Sequence, residues 1–310
     1  MPLSKIRLFD GHCDTAFLLW QQHQSLLQNT CHIDLVKARA FHAYAQVFAF
    51  CSYAGMTDLM PCTQEEYLTL PLKILREEVA KNSEYIAFAE TAAQINDLNG
   101  QGKLAALLSI EGPEVIGCEP ERLPDLRAQG FRMSTLTWNA DNALAGCHLG
   151  GGGLTDRGRA YVRAAQENNI LIDVSHLSTS AFWDIVHITM KPILASHSNC
   201  RAWCDHSRNL TDDQLRAIAD TGGTVGLNLY PPFLGENADF DTLQKHLERM
   251  LIICGPTHVA LGGDLDGCDI LAQGFDDLTG YAGFYDFLKG KGYSENLLNL
   301  IFYDNLYRLF

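Results

Sequence analysis

The chain has 310 residues, of which 47% are hydrophobic and 19% are charged, and its 37 acidic against 23 basic residues give a formal net charge of −14. This acidic balance, without any cluster of lysine and arginine, disfavours a nucleic-acid partner. The sequence has no run of about 18 apolar residues and no apolar leader, so neither membrane insertion nor secretion is expected.

Eight short apolar segments recur along the chain and predict β-strands. They cover residues 6–12, 46–52, 104–110, 132–138, 170–176, 192–197, 223–229 and 258–264. Segments with the periodicity of amphipathic helices lie between several of them, at residues 63–83, 155–169, 178–190 and 211–223. In the last of these helices, Thr211 and Gln214 form a capping box and Gly222 lies near the end.

The order of these segments predicts the fold. Near-continuous hydrophobic strands that alternate with helices are typical of a parallel sheet, and eight such units predict a (β/α)8 TIM-type barrel. A doubly wound open sheet is the alternative, but the glycines at 150–153 neither follow a strand directly nor open a nucleotide-binding helix. We interpret this glycine run as a flexible active-site loop. Because no linker, repeat or composition break occurs, residues 1–310 are expected to form a single domain.

Ten cysteines are scattered along the chain without a Cys-x-x-Cys pair, which predicts reduced thiols and a cytoplasmic location. One local cluster, "HSNCRAWCDH", offers His197, Cys200, Cys204 and His206 as ligands of a structural zinc ion. Its spacing is irregular, and the two cysteines also fit one face of a helical turn as small buried hydrophobes. We favour this second interpretation.

The first predicted strand ends in "LFDGHCDT", which places His12 and Asp14 two residues apart. Alternate residues of a strand point to the same face, so these two side chains could bind one small object, most simply a metal ion. The alternative is that Asp10, Gly11 and Asp14 form a turn and that His12 is an ordinary half-buried residue. A motif this short does not decide between them.

Other polar residues interrupt the apolar segments at the same end. Glu111 follows "LLSI", His176 ends "LIDVSH", His197 ends "ILASH" and Asp264 ends "ALGGD". The carboxyl ends of the strands form one face of a barrel, so residues far apart in sequence would converge there. Separately, each has another explanation: a helix-start carboxylate, a turn residue or a core histidine. Their shared position favours a metal site.

The number of donors favours two ions over one. A catalytic zinc ion takes about three protein ligands, whereas this set offers His12, Asp14, Glu111, His176 and His197. A shared Glu111 carboxylate could bridge two ions about 3.5–4 Å apart. Asp264 would then remain free as an acid and base.

These segments also carry a resemblance to a known family. The motifs "DGHCD", "SIEG", "DVSHLS", "ILASHSN", "RNLTDDQLRAIADTGGTVGLN" and "HVALGGDLDG" together resemble the membrane dipeptidase (renal dipeptidase, peptidase M19) family of zinc dipeptidases, from residue 8 to the final helix. The resemblance implies a (β/α)8 barrel with two zinc ions per chain. It assigns His12, Asp14 and Glu111 to one ion, and Glu111, His176 and His197 to the other.

The resemblance also implies roles around the metal site. Asp264 would be the catalytic aspartate beside Glu111, and Arg208 would bind the terminal carboxylate of the substrate. Tyr230 is a further substrate-binding candidate. Animal members carry a histidine at the end of the fourth strand, where this chain has Trp138 in "STLTWNADN". Trp138 and the loop residue His148 are therefore candidates for substrate binding. His148 could substitute for the missing histidine, and the alternative is that it is a solvated loop residue.

For Arg208, a structural alternative is a salt bridge with Asp212 or Asp213 at the start of the following helix. The functional alternative fits a pocket that measures substrate length, because a planar guanidinium can grip a free carboxylate. The sequence alone leaves both open.

Together these inferences predict a zinc dipeptidase that hydrolyses short peptides with a free C-terminal carboxylate through a bridging metal-bound hydroxide. A cyclic-amide hydrolase or deaminase of the same barrel is the alternative, but such enzymes commonly begin with His-x-His and use a lysine of the fourth strand, and both are absent. A non-catalytic zinc-binding protein is a third possibility, against which Asp264 argues. Family members are often dimers, so a homodimer is an open expectation.

Overall fold

Nine parallel strands form one sheet in the computed structural model, which describes residues 5–51 and 62–310. The strands are β1 Arg7–Cys13, β2 Ala43–Cys51, β3 Ile86–Phe88, β4 Leu104–Glu111, β5 Phe131–Thr135, β6 Leu171–Asp173, β7 Ile193–Ala195, β8 Thr224–Leu227 and β9 Val259–Leu261. The α-helices are α1 Thr15–Gln22, α2 Leu35–Ala38, α3 Gln64–Lys81, α4 Ala92–Gly100, α5 Leu123–Ala128, α6 Asp156–Glu167, α7 Thr179–Ile188, α8 Asp212–Asp220, α9 Pro231–Leu234, α10 Phe240–Cys254, α11 Gly280–Gly290, α12 Glu295–Asn299 and α13 Asn305–Tyr307. Two short 3-10 helices, Pro113–Ile116 and Pro120–Arg122, and a π-helical turn, Leu300–Asp304, complete the elements.

Eight of these strands close into a barrel. The sheet order runs from β2 through β1, β9, β8, β7, β6 and β5 to β4, and β4 pairs again with β2. The seam between the two ends of the chain is β1 against β9, where Asp10 lies opposite Leu261. The predicted (β/α)8 TIM-type barrel is therefore confirmed.

The ninth strand lies outside this ring. β3 pairs with the first three residues of β4, whereas β5 pairs with residues 108–111 of the same strand. β3 and the helix α4 that follows it are not among the elements predicted from the sequence. A three-residue strand is too short to produce either an alternating or a continuous apolar signal.

Several predicted strands extend past the observed strand ends. The apolar segments 170–176, 192–197 and 258–264 contain β6, β7 and β9, each of which has only three residues. Hydrophobic periodicity reports burial, and burial continues beyond the last paired residue because the loops at this end also line the barrel mouth. The segment 46–52 corresponds to β2, and its last residue lies outside the described residues.

The four predicted helices correspond to α3, α6, α7 and α8, and each begins with a capping hydroxyl. In each helix the N-cap side chain accepts a hydrogen bond from a backbone N–H of the first turn; the N-caps are Thr63, Thr155, Ser178 and Thr211. The predicted capping box is present, with Gln214 bonding back to the Thr211 N–H at 3.0 Å. These caps fix where each helix leaves its preceding loop.

The core has two layers. The larger lies between the outer face of the barrel and the helices, and the smaller fills the barrel interior. At the amino ends of the strands, the chain terminus covers this interior: Tyr303 and Leu306 are buried, and Phe310 stacks on Phe9 with ring centroids 5.6 Å apart. The polar residues predicted from the sequence lie at the opposite, carboxyl ends of the strands.

Residues 5–51 and 62–310 contain no helix with both the length and the hydropathy needed to cross a bilayer. All ten cysteines are free thiols.

Removal of the Thr211 cap tests the local basis of α8. We expect Thr211→Ala to lower the free energy of unfolding by about 1 kcal/mol, because a backbone N–H of the first turn loses its acceptor. Thr211→Ser keeps the hydroxyl and should stay close to wild type. Urea-induced unfolding measures both variants, and equal losses would show that the hydroxyl does not act as a cap.

Candidate metal centre

The polar residues at the strand ends converge at the barrel mouth. His12 lies within β1 and Asp14 follows it, Glu111 is the last residue of β4, and the remaining three come after β6, β7 and β9: His176, His197 and Asp264. Their donor atoms form three groups within which all atoms lie no more than 4.8 Å apart: His12, Asp14 and Glu111; Glu111, His176 and His197; and His12, His197 and Asp264. Each group could hold a metal ion.

Glu111 lies between the histidines. Its Oε1 is 3.1 Å from His176 Nε2 and 3.6 Å from His197 Nε2, whereas its Oε2 is 3.7 Å from His12 Nε2. Asp14 Oδ2 lies 3.4 Å from the same His12 nitrogen. The two carboxylate oxygens of Glu111 thus face different donor groups, and Glu111 belongs to two of the three groups that could hold an ion.

The chemistry of these donors fits a cation. His12 and Glu111 are 1% and 2% exposed, yet both ring nitrogens of His12 and Oε1 of Glu111 form no hydrogen bond with the described residues. Buried polar atoms without hydrogen bonds are costly, and a metal ion would satisfy them. Imidazole nitrogens with carboxylate oxygens suit zinc and other divalent transition metals.

Hydrogen bonds orient two of the imidazoles. His197 Nδ1 lies 2.6 Å from Ser196 Oγ, and Ser196 in turn donates to the buried carboxylate of Asp173. His176 Nδ1 lies 2.9 Å from Asn139 Oδ1. An acceptor at Nδ1 fixes the proton there and leaves the Nε2 lone pair for a metal. Both rings consequently present Nε2 to Glu111.

The buried carboxylate of Asp10 supports His12 from below. Its Oδ1 accepts from the His12 backbone N–H at 2.9 Å and from Gln46 Nε2 at 3.1 Å. Its Oδ2 accepts from the Gly263 N–H at 2.8 Å and from the Tyr281 hydroxyl. Asp10 therefore joins the His12 strand to the loop that carries Asp264.

The backbone adopts unusual conformations at this face. His176 and Asp264 have φ values of +66° and +58°, in the left-handed region that non-glycine residues rarely enter. Such positions cost about 1–3 kcal/mol and are concentrated at functional sites. Gly262 permits a close approach here, because a Cβ at that position would lie 1.6 Å from the carbonyl oxygen of Ser196.

Burial and crowded carboxylates perturb the ionisation of the site. Burial lowers the pKa of His12, but Glu111, Asp14 and Asp264 outweigh it and raise that pKa to about 10. Burial, reinforced by Asp14 and Asp264, raises the pKa of Glu111 to about 8. Burial also lowers the pKa of His176 and of His197 well below the usual range. Neutral imidazoles beside concentrated negative charge are suited to metal binding.

Asp264 is held through one oxygen. Asn228 Nδ2 donates to Oδ2 at 3.2 Å, and Oδ1 lies 3.9 Å from His12 Nε2. Burial, together with the charge of Asp14, raises the pKa of Asp264. The Oδ1 atom is therefore placed either to contact a metal with His12 and His197 or to exchange a proton beside it.

Arg208 is buried in the wall of the same cavity, with 3% of its surface exposed. Its Nη1 lies 3.4 Å from Ser198 Oγ and its Nη2 lies 3.3 Å from the His197 carbonyl, while its Nε has no hydrogen-bond partner among the described residues. The two aspartates considered as partners are paired elsewhere, Asp212 with Arg249 and Asp213 with Arg216. The structural alternative for Arg208 is therefore wrong.

A cavity of about 620 Å³ lies above these residues, which is within the range of small-molecule sites. Trp138, His148 and Tyr230, the other predicted substrate-binding residues, all line it. The Trp138 ring lies 6.4 Å from the His176 ring, and Tyr230 packs edge-on against Phe233 at 5.0 Å. Both ring nitrogens of His148 are engaged, with Ser207 Oγ at 2.7 Å and with Asn139 Oδ1 at 2.9 Å.

Four supporting residues were not predicted from the sequence. Asp173, Ser196 and Asn228 lie at or directly after a strand end, whereas Asn139 lies further along the loop after β5. The strand-end rule that found the donors could also have found the first three, but not Asn139. It would not have separated residues that face the metal site from residues that hold its donors.

The cysteine cluster does not form a second donor group. Cys200 Sγ donates to the carbonyl of His246 and Cys204 Sγ to that of Pro232, each at 3.4 Å. Within residues 5–51 and 62–310, neither cysteine belongs to a group close enough to hold an ion.

Comparisons with known proteins agree on one family. Residues 3–310 match the family model described as membrane dipeptidase (peptidase family M19). An uncharacterized dipeptidase of Schizosaccharomyces pombe is 28% identical, covering 94% of this chain and 77% of that protein. A crystal structure of the dipeptidase AC, a family M19 metallopeptidase, is 26% identical with a TM-score of 0.90, covering 99% of this chain and 98% of that one. A metallopeptidase from Rhodobacter sphaeroides, liganded with a phosphinate mimic of the dipeptide L-Ala-D-Ala, is 25% identical with a TM-score of 0.90, covering 99% of each chain.

Metal binding at this centre should stabilise the fold. Addition of Zn²⁺ to chelator-treated protein at about 100 times the dissociation constant should contribute about 2.7 kcal/mol, which raises the Tm of a chain of this length by roughly 4 °C. Glu111→Gln should lose most of this rise, because Glu111 belongs to two of the three donor groups. His187→Ala, on the exposed surface of α7, serves as the control with an unchanged rise. If Zn²⁺ raised the Tm of Glu111→Gln as much as that of wild type, the ion would bind at a site that does not include Glu111.

Proposed function

The chain belongs to the membrane dipeptidase family, peptidase family M19, and is a metallopeptidase, and on this premise we propose that it hydrolyses dipeptides with a free C-terminal carboxylate. The observation that carries the proposal is Arg208. It is a buried guanidinium that forms no ion pair with any described carboxylate, in the wall of the cavity that Glu111 and Asp264 also line. A buried cation without a protein counter-ion is suited to an anionic ligand.

The metal cofactor in this proposal is a pair of zinc ions. His12, Asp14 and Glu111 would hold one ion, and Glu111, His176 and His197 would hold the other, as the donor distances support. When bound, such ions supply an activated water as nucleophile and polarise the scissile carbonyl. No covalent intermediate with the protein is then required, and the cavity lining needs to supply only proton transfer and substrate positioning.

Asp264 is the group that moves the proton. Asn228 occupies its Oδ2 and leaves Oδ1 directed toward the metal donors. From there Asp264 would take the proton of the attacking water and pass it to the leaving amine. General acid and base catalysis of this kind contributes about 10²–10⁴ in rate.

Arg208 would determine the length of the substrate. Its Nη2 contacts the main-chain carbonyl of His197, whose ring belongs to the metal site. A carboxylate bound by this guanidinium would therefore lie near the metal donors, as the C-terminal carboxylate of a dipeptide would when its peptide bond is at the metal site. A longer peptide would place an uncharged amide against Arg208 and lose a charge-assisted contact.

Asp264→Asn tests the proton-transfer role. The amide keeps the shape of the side chain but cannot accept the proton, so kcat should fall by about 10²-fold or more while KM and the bound zinc content stay near wild type. Steady-state kinetics on a dipeptide and elemental analysis of the protein measure these quantities. Loss of zinc, with proportionate activity per bound ion, would instead make Asp264 a metal ligand.

Arg208→Met tests the recognition of the carboxylate. A charge-assisted bidentate contact contributes about 1.5–3 kcal/mol, so kcat/KM on free dipeptides should fall at least tenfold. Hydrolysis of the corresponding C-terminal amides should barely change, because they carry no charge for Arg208 to meet. Arg216→Met, which removes an exposed arginine of α8, is the control. If the ratio of the two specificity constants is the same in Arg208→Met and wild type, Arg208 does not read the carboxylate.

A further inference from the structure

One amide oxygen connects two histidines at the barrel mouth. Asn139 Oδ1 lies 2.9 Å from His176 Nδ1 and 2.9 Å from His148 Nε2. An amide oxygen has two lone pairs and can accept both N–H groups at once. Asn139 lies in the loop after β5, and the same loop carries His148, whose backbone N–H donates to the His176 carbonyl at 2.7 Å.

The two hydrogen bonds define the tautomers of both rings. Because His176 donates from Nδ1, its Nε2 carries a lone pair and faces Glu111 Oε1 at 3.1 Å. Because His148 donates from Nε2, its Nδ1 accepts from the Ser207 hydroxyl at 2.7 Å. A continuous chain of hydrogen bonds therefore runs from His176 through Asn139 and His148 to Ser207.

Ser207 directly precedes Arg208. The Ser207 segment is held on its other side by Arg201, whose Nη2 donates to the Ser207 carbonyl at 3.1 Å. The series of hydrogen bonds from His176 consequently ends at Ser207, the neighbour of Arg208, whose guanidinium lines the cavity. His148 has no free ring nitrogen to offer a substrate, so a direct binding role does not account for its position.

We propose that Asn139 and His148 are positioning residues, with Asn139 orienting His176 for the metal and His148 holding the Ser207–Arg208 segment in place for the substrate carboxylate. The first part requires only that His176 binds a metal ion. The second part rests on the proposed function, because it assigns a carboxylate to Arg208. His148 thus acts through Arg208, and Asn139 is the point where metal binding and substrate binding are joined.

The Asn139 part is tested by zinc affinity. Competition with a chromophoric chelator, without substrate, should show that Asn139→Ala binds Zn²⁺ about 10- to 100-fold more weakly, the usual effect of losing the partner of a ligating histidine. Asn139→Asp retains an acceptor and should stay within about threefold of wild type. Asn296→Ala, at an exposed position of α12, is the matched control. Unchanged affinity in Asn139→Ala, or equal losses in the alanine and aspartate variants, would overturn this part.

The His148 part is tested by a double-mutant cycle with Ser207. His148→Ala and Ser207→Ala should each raise KM for a free dipeptide several-fold, with kcat within about twofold and zinc affinity within about threefold of wild type. The double variant should be no worse than either single variant, because both break the same contact. Additive effects, an unchanged KM, or an equal rise in KM for the C-terminal amide would overturn it. If wild type hydrolyses no dipeptide, the proposed function fails, while the zinc measurements on Asn139 still decide the first part.

Discussion

The carboxylate of Glu111 is buried at the end of β4 with imidazole nitrogens of three other strands within 3.7 Å of it. Asp14 and Asp264 add further negative charge at the same face, and among the described residues Arg208 is the one lysine or arginine that lines the cavity. Burial of so much negative charge is costly unless it is paired or bound to metal. The need for positive charge at this point explains why the pKa values of His12, Glu111 and Asp264 are raised, and it makes the site suited to a metal cation.

Two buried carboxylates beneath the metal donors, those of Asp10 and Asp173, accept hydrogen bonds from several neighbouring groups. Asp173 accepts from the Ser175 and Ser196 backbone N–H groups at 2.9 and 3.0 Å and from the Thr135 hydroxyl at 3.0 Å. Asp10 is similarly saturated by neighbouring donors. These buried carboxylates are therefore held by hydrogen bonds from several sides, and so are the backbone segments of His12 and Ser196 that they contact. A preorganised site of this kind needs little rearrangement when a cation or substrate enters.

The barrel, the five donors and Asp264 could be predicted from the sequence for one physical reason. Buried parallel strands are almost entirely apolar, so a polar residue at the end of such a segment is conspicuous and its position in the barrel is known. Other features depend on contacts that no local pattern contains. The sequence could not decide whether Arg208 pairs with Asp212 or binds the substrate. The partner of Asp212 is Arg249, which lies 37 residues away along the chain. Asn139 and His148 are ordinary loop residues until the orientation of the His176 ring is known, and β3 is too short to have a periodicity.

The pairing of β1 with β9 has a consequence for how the molecule is made. His12 and Asp14 are synthesised more than two hundred residues before Asp264 and the loop that Asp10 holds. During translation, the first strand has no partner on that side until the last strand of the barrel has left the ribosome. Non-local pairing of this kind closes late in folding. The complete donor set therefore exists only after β9 and the Asp264 loop have joined β1, and a chain that ends before β9 would leave one edge of β1 unpaired.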